Sequence, residues 1–201
     1  MTDQREAWDS FYSENHRPWR GVSDIQDIPF VAGGRILEVG CGNGKTAVAL
    51  SKKGFDVTAV DFSQNAIDMC QNSIDGIDFI CASVLDLPFD DGTFDGAVAS
   101  HVLDHLTDDE FPIAAKELYR VSKSGSYLMV RCFAEGDMRS DKGKSENGLV
   151  IRGNGILYHY HSEEELRARL PMFQCISIST KEDRTRFGTV RRRIEAVFRR
   201  P

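Results

Sequence analysis

A glycine-rich turn between an apolar run and a helical segment constrains the fold of this chain more than any other feature. The apolar run is Arg35-Ile-Leu-Glu-Val39, and glycines occupy alternate positions after it, ending at Gly44. Residues 45–53 then carry apolar side chains at the spacing of a helix. A strand, a tight glycine turn and a helix in this order are typical of the first unit of an α/β sheet. Such a turn forms a ligand site, because its backbone approaches a ligand closely and the helix N-terminus is partly positive.

The alternation of strands and helices continues along the chain. Hydrophobic periodicity predicts further strands at 55–60, 77–81, 94–100, 127–132, 173–180 and about 189–198, and helices at 64–72, 108–121 and 162–170. Strands that alternate with helices pair in parallel through right-handed crossovers. We therefore expect an α/β fold of three layers, with a seven-stranded, mostly parallel sheet whose final strand is antiparallel.

The predicted elements fit a single domain that spans residues 1–201, a length at which one core is sufficient. Residues 1–34 are expected to hold an amphipathic helix, 5–14, and a looser segment that caps the site. Residues 134–161 interrupt the alternation and begin with a stretch rich in Gly, Ser, Asp and Lys. We expect this insertion to lie at the surface, either mobile or folded over a ligand site.

The charge of the chain is acidic overall but uneven. The formal net charge is −6, which argues against a dedicated nucleic-acid binder. Residues 181–201 nevertheless contain eight basic and three acidic side chains. The triplet Arg191-Arg-Arg193 cannot face one partner from a strand, because alternate side chains point to opposite faces. Two interpretations of this stretch stay open, a solvated strand and a patch for an anionic substrate.

Composition points to a cytoplasmic location and to no association with membranes. No apolar run approaches the roughly 18 residues of a membrane span, and the segment MTDQREAWDS is too polar for a signal peptide. The five cysteines are odd in number and widely spaced, so reduced thiols are expected. Either a monomer or a homodimer is consistent with the composition.

Three kinds of ligand use a glycine-rich turn of this type. A dinucleotide fingerprint requires a third glycine at position 45, where this chain has Lys45. A P-loop requires its first glycine at position 39, where the chain has Val39. The spacing that remains is E-x-G-x-G-x-G, from Glu38 to Gly44. Asp61 ends the second predicted strand about 20 residues later, where a carboxylate accepts the ribose hydroxyls of a nucleoside.

These residues resemble the motifs of the class I S-adenosylmethionine-dependent methyltransferases. Residues 38–44 are similar to the first motif of that family, and residues 81–89 with 91–95 are similar to its adenine-binding stretch. Residues 118–125 are similar to the turn before its fifth strand. The resemblance implies the Rossmann-like methyltransferase fold, S-adenosyl-L-methionine as the cofactor, and methyl transfer by in-line displacement.

The resemblance also implies which residues hold the cofactor. Ser83 stands where relatives commonly carry an Asp that accepts a hydrogen bond from the adenine amino group, and a hydroxyl can accept the same bond. Trp19 and Arg20 lie in a segment that folds across the cofactor in related enzymes, where Arg20 would pair with the methionine carboxylate. The expected cofactor-binding residues are Glu38, Gly40, Cys41, Gly42, Asn43, Gly44, Asp61, Phe62, Ser83, Val84, Ser100, Trp19 and Arg20.

The candidate catalytic residues lie in His101-Val-Leu-Asp-His105. If a helix begins there, His101, Asp104 and His105 share one face. Three interpretations stay open: residues that only line the pocket, His101 or His105 as a general base, and a divalent metal held by all three. The metal interpretation rests on similarity to the E-x-x-E-H run of quinone-biosynthesis and small-RNA methyltransferases. Both glutamates of that run are replaced here, so we expect no metal.

Aromatic side chains are the candidates for contacts with the acceptor. The segment Tyr158-His-Tyr-His161 follows the insertion, and in an extended chain its tyrosines face one way and its histidines the other. Tyr158, Tyr160 and, from the N-terminal helix, Tyr12 either line the acceptor pocket or pack in the core.

The leading functional hypothesis is a methyltransferase with a small-molecule acceptor, because the chain is acidic and no RNA-binding domain is appended. A methyltransferase that acts on RNA or protein is the second hypothesis, supported by the basic stretch 181–201. The third is a non-catalytic S-adenosylmethionine-binding protein, which a weak adenine contact at Ser83 would favour.

Overall fold

The helices and strands follow the predicted order. The computed structural model describes residues 4–15, 23, 25, 28–140, 143–146, 149–185 and 187–201. Its elements are α1 (Gln4–Glu14), β1 (Arg35–Val39), α2 (Lys45–Ser51), β2 (Asp56–Asp61), α3 (Gln64–Gln71), β3 (Asp78–Cys81), β4 (Phe94–Ser100), α4 (Glu110–Val121), β5 (Ser122–Phe133), β6 (Lys144–Glu146), β7 (Leu149–Ile151), β8 (Leu157–Tyr158), α5 (Glu163–Arg169), β9 (Gln174–Arg184) and β10 (Val190–Arg199). A short 3₁₀ turn, Leu103–His105, follows β4.

The main sheet has seven strands in the order β3-β2-β1-β4-β5-β10-β9. The first five strands of this order pair in parallel, whereas β10 is antiparallel to both β5 and β9. The predicted sheet with an antiparallel final strand is therefore confirmed. Strand β1 lies between β2 and β4, so the strand order reverses there. Ligands of such sheets bind at the carboxyl end of the strands at this point, where the glycine turn lies.

Helices cover both faces of the sheet, which explains why β1 is apolar throughout. Ile36 and Leu37 are adjacent in β1, point to opposite faces and are completely buried. Ile36 packs with α2 and α3, through side chains such as Leu50 and Ile67. Leu37 packs with α4 and α5, through side chains such as Leu118. The three layers expected from the sequence are present.

The insertion is folded rather than irregular. Strands β6, β7 and β8 pair as a small antiparallel sheet. The apolar side of α1 shares one hydrophobic cluster with the insertion, which includes Trp8 and Tyr158. Gln4 also joins the two segments, because its Nε2 donates to the Gly155 carbonyl (3.1 Å) and its Oε1 accepts from the Leu157 amide (2.9 Å). Helix α1 and the insertion therefore form one cover at the carboxyl end of the sheet.

Helix α1 is fixed to the start of α3 as well. Asp9 Oδ1 accepts hydrogen bonds from the Ser63 hydroxyl (2.7 Å) and the Asn65 amide (3.1 Å). The Asn65 side chain donates to the Asp9 carbonyl oxygen (3.2 Å). Asp9 thus acts as an additional cap of α3, and the position of α1 depends on it.

No helix among the described residues is long and apolar enough to cross a membrane. The longest of them, α4, has 12 residues, whereas a spanning helix needs about 20.

Candidate active site

A cleft opens at the carboxyl ends of β1, β2 and β4. It consists of two adjoining cavities of about 460 and 700 Å³. Both are lined by Trp8, Tyr12, Gly40, His101 and His105, so these residues mark their junction. The smaller cavity extends toward β2 and the segment after β3, and the larger one toward the insertion and β10.

The glycine turn forms the floor of the cleft. Gly40, Gly42 and Gly44 have φ angles of 66°, 54° and 73°, in the left-handed region that favours glycine. At Gly40 a side chain would also clash, because a Cβ there would lie 2.6 Å from the Cβ of Val102. The turn keeps its close approach to the cleft only if glycine occupies this position.

The Asp61 carboxylate is held at the end of β2 by two backbone amides. Asp61 is 5% exposed and accepts hydrogen bonds from the amides of Gly42 (2.9 Å) and Ser63 (3.0 Å). Burial raises the pKa of Asp61 to about 6, although these amides oppose the shift. Asp61 lines the smaller cavity, and its remaining lone pairs can accept hydroxyl groups there.

Glu38 is buried next to the glycine turn, in β1. It is 2% exposed and lines the larger cavity. Burial, followed by the charge of Cys70, raises the pKa of Glu38 well above its usual value. Among the described residues, none hydrogen-bonds to its Oε2, although that oxygen is buried. A buried oxygen of this kind requires a donor. The site therefore fits the α-amino group of S-adenosylmethionine.

Most of the other predicted cofactor residues also surround the cleft. Those lining the smaller cavity are Phe62, Ser83 and Val84, and those lining the larger one are Cys41, Gly42, Asn43 and Ser100. The Ser83 hydroxyl accepts a hydrogen bond from the Leu85 amide (3.1 Å). Gly44 lies behind the turn, where a Cβ would meet Ile74 Cδ1 at 2.7 Å. Trp19 and Arg20 lie outside the described residues.

The condition for His101, Asp104 and His105 to share a helix face is not met, because no α-helix begins at His101. His101 has a φ of 56°, and it is the one left-handed residue other than glycine in the described part of the chain. Only Leu103–His105 form a 3₁₀ turn. His101, Asp104 and His105 therefore do not share the face of an α-helix. A left-handed residue with a side chain costs roughly 1–3 kcal/mol, and such residues cluster at functional sites.

Asp104 orients the ring of His101. The Asp104 carboxylate is completely buried, and its Oδ2 accepts from His101 Nδ1 (3.0 Å) while its Oδ1 accepts from the Phe133 amide (2.8 Å). Burial acts to raise the pKa of Asp104, but the hydrogen bond and charge of His101 outweigh it and lower that pKa below its usual value. The ionised carboxylate selects the tautomer of His101 with its proton on Nδ1. This leaves Nε2 able to accept a proton.

His105 is held at its Nδ1 by the insertion. That nitrogen donates to the Leu157 carbonyl oxygen (2.6 Å), and the ring lies edge-on to Trp8 at a centroid distance of 4.8 Å. Burial lowers the pKa of His105, so its imidazole is neutral near neutral pH. A neutral ring with its proton on Nδ1 also leaves Nε2 as an acceptor.

The geometry does not favour a metal held by His101, Asp104 and His105. His105 Nδ1 is bonded to a carbonyl oxygen, and both oxygens of Asp104 accept hydrogen bonds. Among the residues that the structure describes, the groups with converging ligand atoms are Asp104–Cys132–His161 and His159–His161–Glu165.

The aromatic candidates differ in their access to the cleft. Tyr12 and Tyr158 line the larger cavity, whereas Tyr160 is not among its lining residues. The Tyr160 hydroxyl accepts a hydrogen bond from Arg152, whose guanidinium lies 3.8 Å from the centroid of the Tyr158 ring. The two histidines of the segment stack on each other, with ring centroids 4.1 Å apart. Tyr160 therefore does not line the larger cavity itself, and its connection to the cleft is the hydrogen bond from Arg152.

Several lining residues could not be identified from the sequence. They are Trp8, Phe11, Phe133, Arg139, Arg152 and Arg191. They belong to α1, β5, the insertion and β10, so no local motif groups them. Two sequence features could have indicated some of these lining residues: an aromatic residue within the predicted N-terminal helix and the basic triplet of the last strand.

Comparison with known proteins relates this chain to methyltransferases. Residues 37–130 match the family described as a methyltransferase domain. A demethylmenaquinone methyltransferase of Clavibacter sepedonicus is 33% identical over 119 residues, which cover 58% of this chain and 47% of that relative. A tRNA N(3)-methylcytidine methyltransferase of Schizosaccharomyces pombe is 30% identical over 193 residues, which cover 83% of this chain and 62% of that relative. The chain thus spans about half the length of the first of these relatives.

Solved structures share the fold. A S-adenosylmethionine-dependent methyltransferase of Methanosarcina mazei has a TM-score of 0.73 at 24% identity, covering 88% of this chain and 99% of that one. The 1,6-didemethyltoxoflavin-N1-methyltransferase of Burkholderia thailandensis, with bound 1,6-didemethyltoxoflavin and S-adenosylhomocysteine, has a TM-score of 0.66 at 20% identity, covering 84% and 72%. Residues 37–130, from β1 to β5, therefore match a methyltransferase-domain family, and the chain has the fold of solved S-adenosylmethionine-dependent methyltransferases.

Proposed function

We propose that the protein transfers a methyl group from S-adenosylmethionine to a small-molecule acceptor. The observation that carries this proposal is the pair of buried carboxylates beside the glycine turn, Glu38 and Asp61, in a cleft that continues to His101. Glu38 suits the α-amino group of the cofactor, and Asp61 suits its ribose hydroxyls. Ser83 and Val84 line the smaller cavity, where we assign the adenine ring.

The proposed site is closed by the two segments that form its cover. We assign residues 1–34 and 134–161 to this role within a single domain of residues 1–201. Helix α1 supplies Trp8 and Tyr12 to both cavities, and the insertion supplies Tyr158 to the larger one. A cover of this kind excludes water from the reacting groups, which strengthens their electrostatic interactions.

S-adenosylmethionine supplies an activated methyl group on a sulfonium, so the chain's own residues mainly position the acceptor. His101 is the proposed general base, because it lines both cavities and is oriented by Asp104. It takes the acceptor's proton at Nε2 while Asp104 keeps the proton of Nδ1 in place. A positioned base of this kind contributes roughly 10²- to 10⁴-fold to a rate.

The form of the cleft supports a small acceptor. The larger cavity, about 700 Å³, is within the size range of small-molecule sites. The basic stretch of β10 is largely paired with acids, which weakens its case as an RNA-binding surface. Arg192 pairs with Glu182 (2.7 Å), and Arg193 pairs with Asp183 and Glu195.

RNA is the second candidate acceptor. It is supported by the likeness to the tRNA N(3)-methylcytidine methyltransferase of Schizosaccharomyces pombe, which extends over 83% of this chain. Binding to RNA would weaken steeply with salt, because it depends on phosphate contacts.

The test incubates the protein with methyl-labelled S-adenosylmethionine and a cell extract. The extract is then separated into small-molecule, RNA and protein fractions, and the label in each fraction is measured. We expect label in the small-molecule fraction, and about tenfold less there with the Asp61→Asn variant when the cofactor concentration is below the dissociation constant. Label only in RNA would establish the second candidate. Absence of label in every fraction, together with intact S-adenosylhomocysteine binding, would contradict the enzyme and favour a cofactor-binding protein.

A further inference from the structure

Three arginines meet at the end of the larger cavity that is farthest from the glycine turn. Arg139 and Arg152 belong to the insertion, and Arg191 to β10. Strand β10 is three strands away from β1, which is roughly 14 Å at the usual spacing between strands. The three guanidinium groups therefore belong to the acceptor side of the cleft.

The negative charge at this end does not balance the three guanidinium groups. Asp137 is buried, and its Oδ2 accepts from Arg191 Nε (3.0 Å) and from the Arg192 amide (2.8 Å). Its Oδ1 accepts from the backbone amide of Arg139 (3.0 Å). Within the described residues, ion pairs link Arg191 to Asp137 but give Arg139 and Arg152 no carboxylate within 4.0 Å. Among the described side chains, neither Arg139 nor Arg152 therefore has a carboxylate in direct contact.

Arg152 is held in place by neutral groups. Its guanidinium packs on the Tyr158 ring at 3.8 Å and donates to the Tyr160 hydroxyl. Its Nε is buried, and no described residue accepts a hydrogen bond from it. These contacts fix the orientation of the guanidinium but do not compensate its charge.

The positive charges of the two neighbouring arginines disfavour the charged form of Arg139. Burial, and next the positive charge of Arg191, lower the pKa of Arg139; the charge of Asp137 opposes this shift and that of Arg152 adds to it. A bound anion between these side chains would remove the repulsion and restore the charge that burial disfavours.

We propose that the methyl acceptor is an anion, whose carboxylate or phosphate group is bound by Arg139, Arg152 and Arg191 while its apolar body lies between Trp8 and Phe133. This inference rests on the proposed methyl transfer and names the class of its acceptor. The anchored anion fixes one end of the molecule, so that its reactive atom lies near His101 at the junction of the two cavities. A neutral analogue would leave the guanidinium groups uncompensated and is therefore discriminated against.

The experiment is a calorimetric titration of the protein, saturated with S-adenosylhomocysteine, with benzoate and with its uncharged counterpart benzamide at constant ionic strength. We expect benzoate to bind roughly tenfold or more tightly than benzamide. Equal affinities, or no binding of benzoate below about 50 mM, would overturn the proposal.

Two variants and one control test whether the preference for benzoate over benzamide depends on these arginines. Arg139→Gln removes a side chain with no described ion pair, so the fold should tolerate it, and the preference for benzoate should fall several-fold. Arg139→Gln combined with Arg152→Gln should reduce the preference to within about twofold. Arg192→Gln is the matched control, because Arg192 is adjacent to Arg191 in β10 but does not line the cavity. The control must keep the wild-type preference.

The affinity for S-adenosylhomocysteine separates this inference from the proposed function. We expect the arginine variants to bind S-adenosylhomocysteine as the wild type does. Loss of that binding in Arg139→Gln would mean that the cluster holds the methionine carboxylate, which overturns the inference and leaves methyl transfer standing. A wild-type protein that does not bind S-adenosylhomocysteine would overturn both.

Discussion

The two ends of the cleft are built in different ways. The cofactor end, formed by the glycine turn with Glu38 and Asp61, consists of backbone groups and carboxylates that lie within 24 residues of the chain. The acceptor end consists of side chains from α1, β5, the insertion and β10, as far apart in sequence as Trp8 and Arg191. Backbone geometry is encoded in a short motif, whereas a wall of side chains depends on how distant segments pack. The comparison implies that a substitution can impair ligand binding at one end of the cleft without impairing it at the other.

The largest expected effect is at the cofactor end. Gly40→Ala adds a Cβ 2.6 Å from that of Val102, at a φ of 66°. We expect the affinity for S-adenosylhomocysteine to fall roughly 100-fold or more, with a lower melting temperature. Gly92→Ala is the matched control, since Gly92 has a φ of 62° and open space around its Cβ position. If Gly40→Ala loses no more affinity than this control, the turn is not the floor of the site.

A smaller loss is expected for Asp61→Asn, which removes the charge and replaces one of the two oxygens that accept hydrogen bonds from the Gly42 and Ser63 amides by an NH2 group. Hydrogen bonds to charged groups contribute about 1.5–3 kcal/mol, so the affinity for S-adenosylhomocysteine should fall about 10- to 100-fold. In the wild type the affinity should fall as the pH is lowered through about 6, because Asp61 then becomes protonated. The variant should lack this dependence, which calorimetry at several pH values would show. An equal pH dependence in both proteins would contradict the role of Asp61.

The raised pKa of Asp61 has the opposite consequence for the stability of the ligand-free protein, which should increase as the pH is lowered. The folded state binds the Asp61 proton more tightly than the unfolded state does, because its pKa is raised from 3.8 to about 6. The free energy of unfolding should therefore decrease as the pH rises across this interval. Asp61→Asn should remove this decrease, as measured by urea unfolding.

At the junction of the two ends, Asp104→Asn should change the tautomer of His101. The Asn carbonyl can still accept from the Phe133 amide, but its amide group donates to Nδ1 and moves the ring proton to Nε2. We expect a loss of roughly 1–3 kcal/mol in stability. Because the pKa of Asp104 is lowered in the folded state, this difference should shrink on acidification below about pH 4. Nitrogen NMR of the imidazole would detect the tautomer, and an unchanged tautomer would contradict the proposed orientation of the base.

The smallest effect is expected in the cover. Asp9→Ala removes the hydrogen bonds from Ser63 and Asn65, so we expect a loss of about 1–2 kcal/mol in stability and a few-fold weaker binding of S-adenosylhomocysteine. Asp68→Ala is the control, because the described hydrogen bond to the Asp68 carboxylate is an exposed one from Gln64 within α3. Chemical unfolding and calorimetry would measure both. Equal results for the two variants would mean that α1 does not help to close the site.

The contrast between the two ends also explains what the sequence could predict. Alternating strands and helices predict a mostly parallel sheet, and the spacing from Glu38 to Gly44 followed by Asp61 predicts the cofactor end. These signals depend on residues that are close in sequence, since the motif and Asp61 belong to one β-α-β unit.

The acceptor end could be predicted only in part. The sequence leaves open whether a helix begins at His101; none begins there, because that residue adopts a left-handed conformation that periodicity does not reveal. The insertion forms a small sheet although its polar composition is typical of a loop. The convergence of Arg139, Arg152 and Arg191 requires the pairing of β10 with β5, which no local pattern encodes.

The most direct test of the central claim compares S-adenosylhomocysteine binding in the wild type, in Asp61→Asn and in His101→Gln by calorimetry. If the two ends are separate, the wild type binds with roughly micromolar affinity, Asp61→Asn loses about tenfold or more, and His101→Gln stays within about threefold. An equal loss in both variants would contradict a division of the cleft into a backbone-built cofactor end and a side-chain-built acceptor end.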